Sequence, residues 1–276
     1  MNSKNEQDVF YVSDATAITC ETLAHSIMGQ FDFTPIEKTY PFVESEEKLD
    51  NLIKDIHLSY QRNKRKSLVF YTMVSQERAK KLEEAPAYFY NLFGGITEKI
   101  EQDLDTPSKP QMQRSRSINK DREQYFSRIA AIEYTLGHDD GVSIKQLEEA
   151  DLILFGASRS SKTPTSLYMA MQFGLKVVNY PVLPEPRELV QLPLEFEPYR
   201  HKLFGLTINS ERLQAIRDSR YSNSQYAKQA QCEFEVKSIE SFYRREAISY
   251  INTTHLSVEE IATRILDATK LERHLC

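Results

Sequence analysis

The stretch ADLILFGASRSSKTPTSLYMAMQFG, residues 150–174, decides the fold. LILF at 152–155 is a short apolar run of the length and character of a buried strand. From about Thr165 to Phe173 the apolar residues return at helical spacing. Between them, Gly156, Ala157, Ser158, Arg159, Ser160, Ser161, Lys162 and Thr163 follow the phosphate-cradling pattern G-x-x-x-x-G-K-S/T at all but one of its fixed positions. The exception is Ser161, which stands where the second glycine belongs.

A strand before the loop and a helix after it is the context such a loop requires. Successive backbone N–H groups turn inward, and the helix N-terminus adds a partial positive charge. Lys162 then reaches the outer phosphates, and the Thr163 hydroxyl is placed for Mg²⁺. Pro164 falls in the first helical turn, where a missing N–H costs little. A serine at 161 costs about 1–2 kcal/mol if its backbone must be left-handed, which weakens the match without excluding it. The plainer reading is a strand–turn–helix in which Ser160 or Ser161 caps the helix.

Outward from this segment, strands and helices alternate, which implies parallel α/β architecture. In the N-terminal half the expected strands are 9–12 (VFYV), 36–43 and 68–74. Helical spacing runs over 17–31, 46–60 and 76–93. The polar, proline-containing segment 101–121 then breaks the pattern, and a stretch of that kind marks a domain boundary. The expected organisation is an N-terminal α/β domain over 1–100, a linker over 101–121 and a P-loop nucleotide-binding domain over 122–276. Past the loop, a helix over 122–136, strands at 176–180, 202–208 and 248–251, and helices over 210–217, 225–245 and 257–271 are expected. The proline-rich 181–198 reads as loop with at most one helical turn. The fold class is therefore α/β, two lobes with mainly parallel sheets, the C-terminal lobe resembling P-loop kinases.

Bulk properties exclude several functions. No apolar run approaches the length of a membrane span, and the N-terminus lacks a signal-peptide core. Three dispersed cysteines (Cys20, Cys232, Cys276) argue against disulfides and against a zinc site, so a cytoplasmic setting is expected. A net charge of −5 supplies no general attraction to nucleic acid. The small basic run of Arg114, Arg116, Lys120 and Arg122 has no interleaved aromatics and reads as solvated linker.

Phosphoryl transfer also needs a group to orient and deprotonate the attacking oxygen. The turn HDDG at 138–141 offers one. Asp139 or Asp140 could accept a proton or hold Mg²⁺ through water; the plainer alternative is simple Asp-Gly turn chemistry. Ser13, Asp14 and Thr16 follow the first strand, where α/β sheets bind ligands, although Asp14 or Thr16 reads first as a helix N-cap. His201 and Lys202 could add charge near the phosphates.

The segment GASRSSKTPTSLY (156–168) resembles the nucleotide loop of the bacterial regulatory proteins for phosphoenolpyruvate synthase and pyruvate, phosphate dikinase, in which Gly or Ser precedes the lysine. VFYVSDATA (9–17), RIAAIEYTL (128–136), HDDG (138–141), NYP (179–181), HKLFGLTI (201–208) and SVEEIA (257–262) extend the resemblance over nearly the whole chain. It implies a bifunctional serine/threonine kinase and phosphorylase. ADP would donate a phosphoryl group to a threonine beside the target's catalytic histidine, and inorganic phosphate would remove it as pyrophosphate. HDDG and TPTSLY (163–168) resemble the synthase branch, so phosphoenolpyruvate synthase is the implied partner. A homodimer is one oligomeric state it allows. A small-molecule P-loop kinase, an NTP-binding switch and a binding protein that lost catalysis through Ser161 stand as alternatives. The loop's position, behind a whole α/β region and without an arginine-rich lid, favours a protein substrate.

Overall fold

A computed structural model describes residues 6–108, 120–185, 188–220 and 224–272, with the side chains of 120–124 excepted. The chain forms two compact units, Met1–Ser115 and Arg116–Cys276. Each is built on a four-stranded parallel sheet.

In the N-terminal unit the strands are β1 (Glu6–Ser13), β2 (Thr34–Tyr40), β3 (Ser67–Thr72) and β4 (Ala87–Asn91), in spatial order β2-β1-β3-β4. Alternation along β1 divides its side chains between two layers. Phe10 and Val12 pack under α2 (Glu46–Asn63) and α3 (Gln76–Glu83) through Leu49, Leu52, Ile56 and Leu82. Val9 and Tyr11 face α1 (Ile18–Met28) through Cys20, Ala24 and Met28. The serines before α2 and α3, Ser45 and Ser75, accept hydrogen bonds from the N–H groups of Lys48 and Arg78, so both helices start on side-chain caps. α4 (Gly94–Leu104) is the last helix of the unit among the described residues.

The expected helix over 76–93 is overturned. It stops at Glu83, and AYFYN forms β4, paired with β3 from Ser67↔Ala87 to Tyr71↔Asn91. Pro86 drives its predecessor out of helical geometry, and the alternating aromatics behind it suit a strand. Helix also continues through Leu104, so the segment between helices begins later than residue 101. Residues 109–119, which contain Arg114 and Arg116, lie outside the described residues, as does Cys276. Asp14 does not cap α1. Its Oδ2 accepts from the Val74 N–H at 2.6 Å, tying the ends of β1 and β3 together, and the N-cap is Ala17 with no side-chain bond.

The C-terminal unit repeats the strand order. β5 (Leu152–Gly156), β6 (Val177–Pro181), β7 (Leu203–Thr207) and β8 (Tyr250–Asn252) lie as β6-β5-β7-β8. Leu152 and Leu154 pack against α6 (Lys162–Phe173) and α9 (Val258–Thr269). Ile153 and Phe155 face α7 (Ser210–Asp218) and α8 (Gln229–Arg245). A capping box between Ser257 and Glu260 opens α9. The remaining helix, α5 (Lys120–Gly137), leads into the 138–141 turn. The proline-rich region is more helical than expected, with 3₁₀ turns over Leu194–Lys202 broken at Tyr199. The expected helix over 225–245 is interrupted at Lys228.

In both sheets the order reverses between the two central strands. At such a switch point the loops leaving the carboxyl ends diverge and open a crevice for ligands. In the second sheet, the loop leaving β5 is the serine-rich segment 157–161.

Candidate functional site

β5 is buried along its full length and delivers the loop to the sheet's carboxyl edge. Gly156 is required by space: a Cβ there would lie 2.6 Å from the Leu206 carbonyl oxygen and 2.7 Å from Ser160 Oγ. The loop then turns through two left-handed residues, Arg159 at φ 75° and Ser161 at φ 70°. The position that lacks its glycine is thus in the conformation glycine favours, and Ser161 does not cap α6 with its side chain. Turns of this kind direct successive N–H groups to one side and make an anion-binding concavity. Among the described residues, no acceptor takes the N–H groups of Arg159, Ser161, Lys162 or Thr163. Ser160 instead closes the loop on itself, its N–H and Oγ both donating to the Ala157 carbonyl, at 3.2 and 2.9 Å.

Lys162 opens α6 and is only 3% exposed. Its Nζ donates to the same Ala157 carbonyl at 2.9 Å. Burial pushes its pKa down to about 8; the charges of Arg217 and Arg159 act in the same direction, and those of Asp140 and Asp139 oppose them. The ammonium is therefore held near an acidic pair brought in from another element.

That pair sits in the 3₁₀ turn Asp139–Gly141. Asp140 and Gly141 are both left-handed, at φ 49° and 73°, as the Asp-Gly turn reading expects. The Thr163 hydroxyl donates to Asp139 Oδ1 at 3.0 Å, and Asn179 Nδ2 donates to Asp139 Oδ1 at 2.5 Å and to Thr163 Oγ1 at 2.9 Å. Asn179 is fully buried, and its Oδ1 has no partner among the described residues. Asp140 is exposed and makes no hydrogen bond among those residues. His138 points away from this chemistry: Nδ1 and Nε2 lie 2.7 and 2.8 Å from the carbonyl oxygens of Tyr134 and Lys145, and its ring stacks on Tyr134.

The structure thus brings together Gly156 to Thr163, Asp139 and Asp140. It does not bring Lys202 to them. That ammonium donates to the Glu148 and Ala150 carbonyls at 2.9 and 2.7 Å, at the opposite end of β5. Side chains with no role assigned from sequence complete the surroundings. Asn179 was legible as a polar residue inside the apolar run KVVNY. Arg217, four residues after the buried Leu213, carried a charge onto a buried helix face. Its guanidinium forks onto Glu235 at 3.1 and 2.6 Å and reaches the Ser158 carbonyl at 3.1 Å. Thr253 Oγ1 donates to the Ser160 carbonyl at 3.3 Å.

Comparison with known proteins shows the family. The family described as Kinase/pyrophosphorylase matches residues 9–266. The chain belongs to the kinase/pyrophosphorylase family. A relative from Vibrio cholerae is 59% identical over 269 residues, covering 98% of this chain and 97% of its own length. One from Vibrio parahaemolyticus is 56% identical over 273 residues, covering 99% and 98%. One from Photobacterium profundum is 51% identical over 272 residues, with the same coverage. All three are named as phosphoenolpyruvate synthase regulatory proteins. Family membership supports phosphotransferase activity. Among the described residues, no helix is long and apolar enough to cross a membrane.

Proposed function

We propose that this chain phosphorylates a threonine of phosphoenolpyruvate synthase with ADP, inactivating it, and reverses the modification with inorganic phosphate. In the first direction the threonine oxygen bonds to the β-phosphorus of ADP, AMP leaves and the hydroxyl proton is given up. In the second, an oxygen of inorganic phosphate bonds to the phosphothreonine phosphorus, the threonine O–P bond breaks, the threonine oxygen takes up a proton and pyrophosphate is released. The observation that carries the reading is the buried Lys162 ammonium beneath a left-handed loop of unengaged N–H groups, with Asp139 and Asp140 beside it.

Each residue has a role that follows from its surroundings. The N–H groups of Arg159, Ser161, Lys162 and Thr163 and the Lys162 ammonium bind the diphosphate, matching its charge as it moves to the leaving group. Asp140, exposed and unengaged among the described residues, takes the threonine proton. Asp139 orients Thr163. The Asp139 carboxylate and the Thr163 hydroxyl it accepts from are hard oxygen donors of the kind that would hold Mg²⁺. The ion would supply charge neutralisation between the phosphates.

The test is a transfer assay with purified phosphoenolpyruvate synthase and ADP labelled in the β-phosphate. Label should appear on the synthase with wild type and disappear with Lys162→Ala. Transfer from ATP to a small molecule, with none to the synthase, would replace this reading with the small-molecule kinase one.

A further inference from the structure

Arg217 is the largest fully buried side chain among the described residues, at 1% exposure, and the phosphate chemistry above gives it no task. Burying a guanidinium is unfavourable unless its donors and charge are matched. Glu235 on α8 supplies the charge through the two-pronged contact. The second N–H of one terminal nitrogen goes to the Tyr226 carbonyl at 3.1 Å, and that of the other goes to Ser158 O. The Tyr226 ring lies beneath the guanidinium, 3.8 Å from its central carbon. The Tyr226 hydroxyl donates to Ser158 Oγ at 2.9 Å. Two side chains from distant parts of the chain therefore converge on one residue of the loop, and on both of its oxygens.

This convergence has a geometric consequence. In a trans peptide the carbonyl and the next residue's N–H point in opposite directions. With the Ser158 carbonyl drawn to Arg217, the Arg159 N–H in the same peptide unit must point away from Arg217. That N–H has no acceptor among the described residues, and Arg159 holds φ 75°, a conformation that a non-glycine residue keeps only when its surroundings impose it.

We propose that Arg217, seated by Glu235 and Tyr226, is a positioning residue of the phosphate site: by holding the Ser158 carbonyl outward it presents the Arg159 N–H to the β-phosphate of ADP. The proposal rests on the phosphate reading of the loop. Arg217 touches no substrate and acts through Ser158. Its position also places a fixed positive charge near Lys162, and that charge is among the causes that lower the lysine's pKa.

The test measures ADP affinity by calorimetry, alongside kcat and KM for ADP in the transfer assay, for Arg217→Lys, Tyr226→Phe, Ser158→Ala and the double variant of the last two. Lysine keeps the charge but cannot fork onto Glu235 and also reach Ser158 O. Arg217→Lys should weaken ADP binding about tenfold, with KM rising in parallel and kcat changing less. Tyr226→Phe and Ser158→Ala each remove one end of the same hydrogen bond. Each should weaken ADP binding about threefold with unchanged melting temperature, and the double variant should be no worse than either single. If Arg217→Lys does not fold, this cycle decides. Wild-type ADP affinity in Tyr226→Phe, Ser158→Ala and any folded Arg217→Lys, with affinity lost in Lys162→Ala, overturns the positioning role alone. Undiminished ADP affinity in Lys162→Ala would overturn the phosphate reading and this inference with it.

Discussion

Lys162→Met should make the protein inactive and more stable at once. The lysine is 3% exposed, and its pKa falls from the ordinary 10.5 to about 8, chiefly through burial. At about 1.4 kcal/mol per tenfold change, keeping the buried ammonium charged costs the folded state about 3 kcal/mol at pH 7. Methionine occupies similar space without charge. Removing the ammonium does not orphan the Ala157 carbonyl, because Ser160 N–H and Oγ still donate to it. With imperfect packing of the thioether allowed for, the gain should be about 1–3 kcal/mol. The sign depends on pH. Below about pH 8 the lysine is protonated in both states and the penalty is fully present. Between about 8 and 10.5 the unfolded chain holds more protons than the folded one, so wild-type stability rises with pH. Above that range the penalty is gone, so the advantage of the variant should shrink from pH 8 upward. Urea unfolding at pH 7, 8, 9 and 10 measures this, with the two units followed as separate transitions where they separate. A variant less stable than wild type at pH 7, or a difference that does not change with pH, would refute the reasoning.

Other perturbations separate the remaining roles. Asp140→Asn should lower kcat by about 10²–10⁴-fold with ADP affinity retained, as expected for loss of a proton acceptor; near wild-type turnover would remove Asp140 from the chemistry. Asp139→Asn should instead raise the Mg²⁺ concentration needed for half-maximal transfer, measured by titrating the ion, since Asp139 engages Thr163. Gly156→Ala should destabilise the C-terminal unit by about 2 kcal/mol or more and weaken ADP binding, because its new methyl meets the Leu206 backbone at 2.6 Å; denaturation and calorimetry read the two effects. Ser161→Gly should keep full transfer activity and gain up to about 1 kcal/mol by relieving a φ of 70°, again read by denaturation. With one phosphate loop serving both directions, ADP should inhibit phosphorolysis competitively with inorganic phosphate; no inhibition at saturating ADP would require a second site.

Much of the architecture was legible because local signals agreed. Apolar runs of strand length alternated with helical spacing, and the Ser257–Glu260 capping pattern marked the start of α9. β4 was missed because Gln76–Leu82 is convincingly helical and the apolar residues after it seemed to continue the pattern. Pro86 was the local cue against that. The site divided in the same way. The loop and the acidic turn were readable as motifs, each within a few residues. The placement of Arg217 and Tyr226 on Ser158 was not, because those contacts span 59 and 68 residues and depend on how α7 and α8 return to the sheet. The same limit explains Lys202, whose ammonium reaches carbonyls 54 and 52 residues away; His138 differs, its partners lying four and seven residues away in a turn whose shape the motif does not spell out. Both are polar residues beside motifs, and backbone carbonyls have already taken their nitrogens.

The central claim is that the loop at 156–163 moves the β-phosphoryl of ADP to a protein threonine. Its most direct measurement is phosphopeptide mapping of phosphoenolpyruvate synthase after incubation with β-labelled ADP and either wild type or Lys162→Ala. The account predicts labelled phosphothreonine beside the synthase's catalytic histidine with wild type, AMP formed in equal amount, and no label with the variant. Equal labelling by both proteins, or AMP release without a labelled threonine, would contradict it.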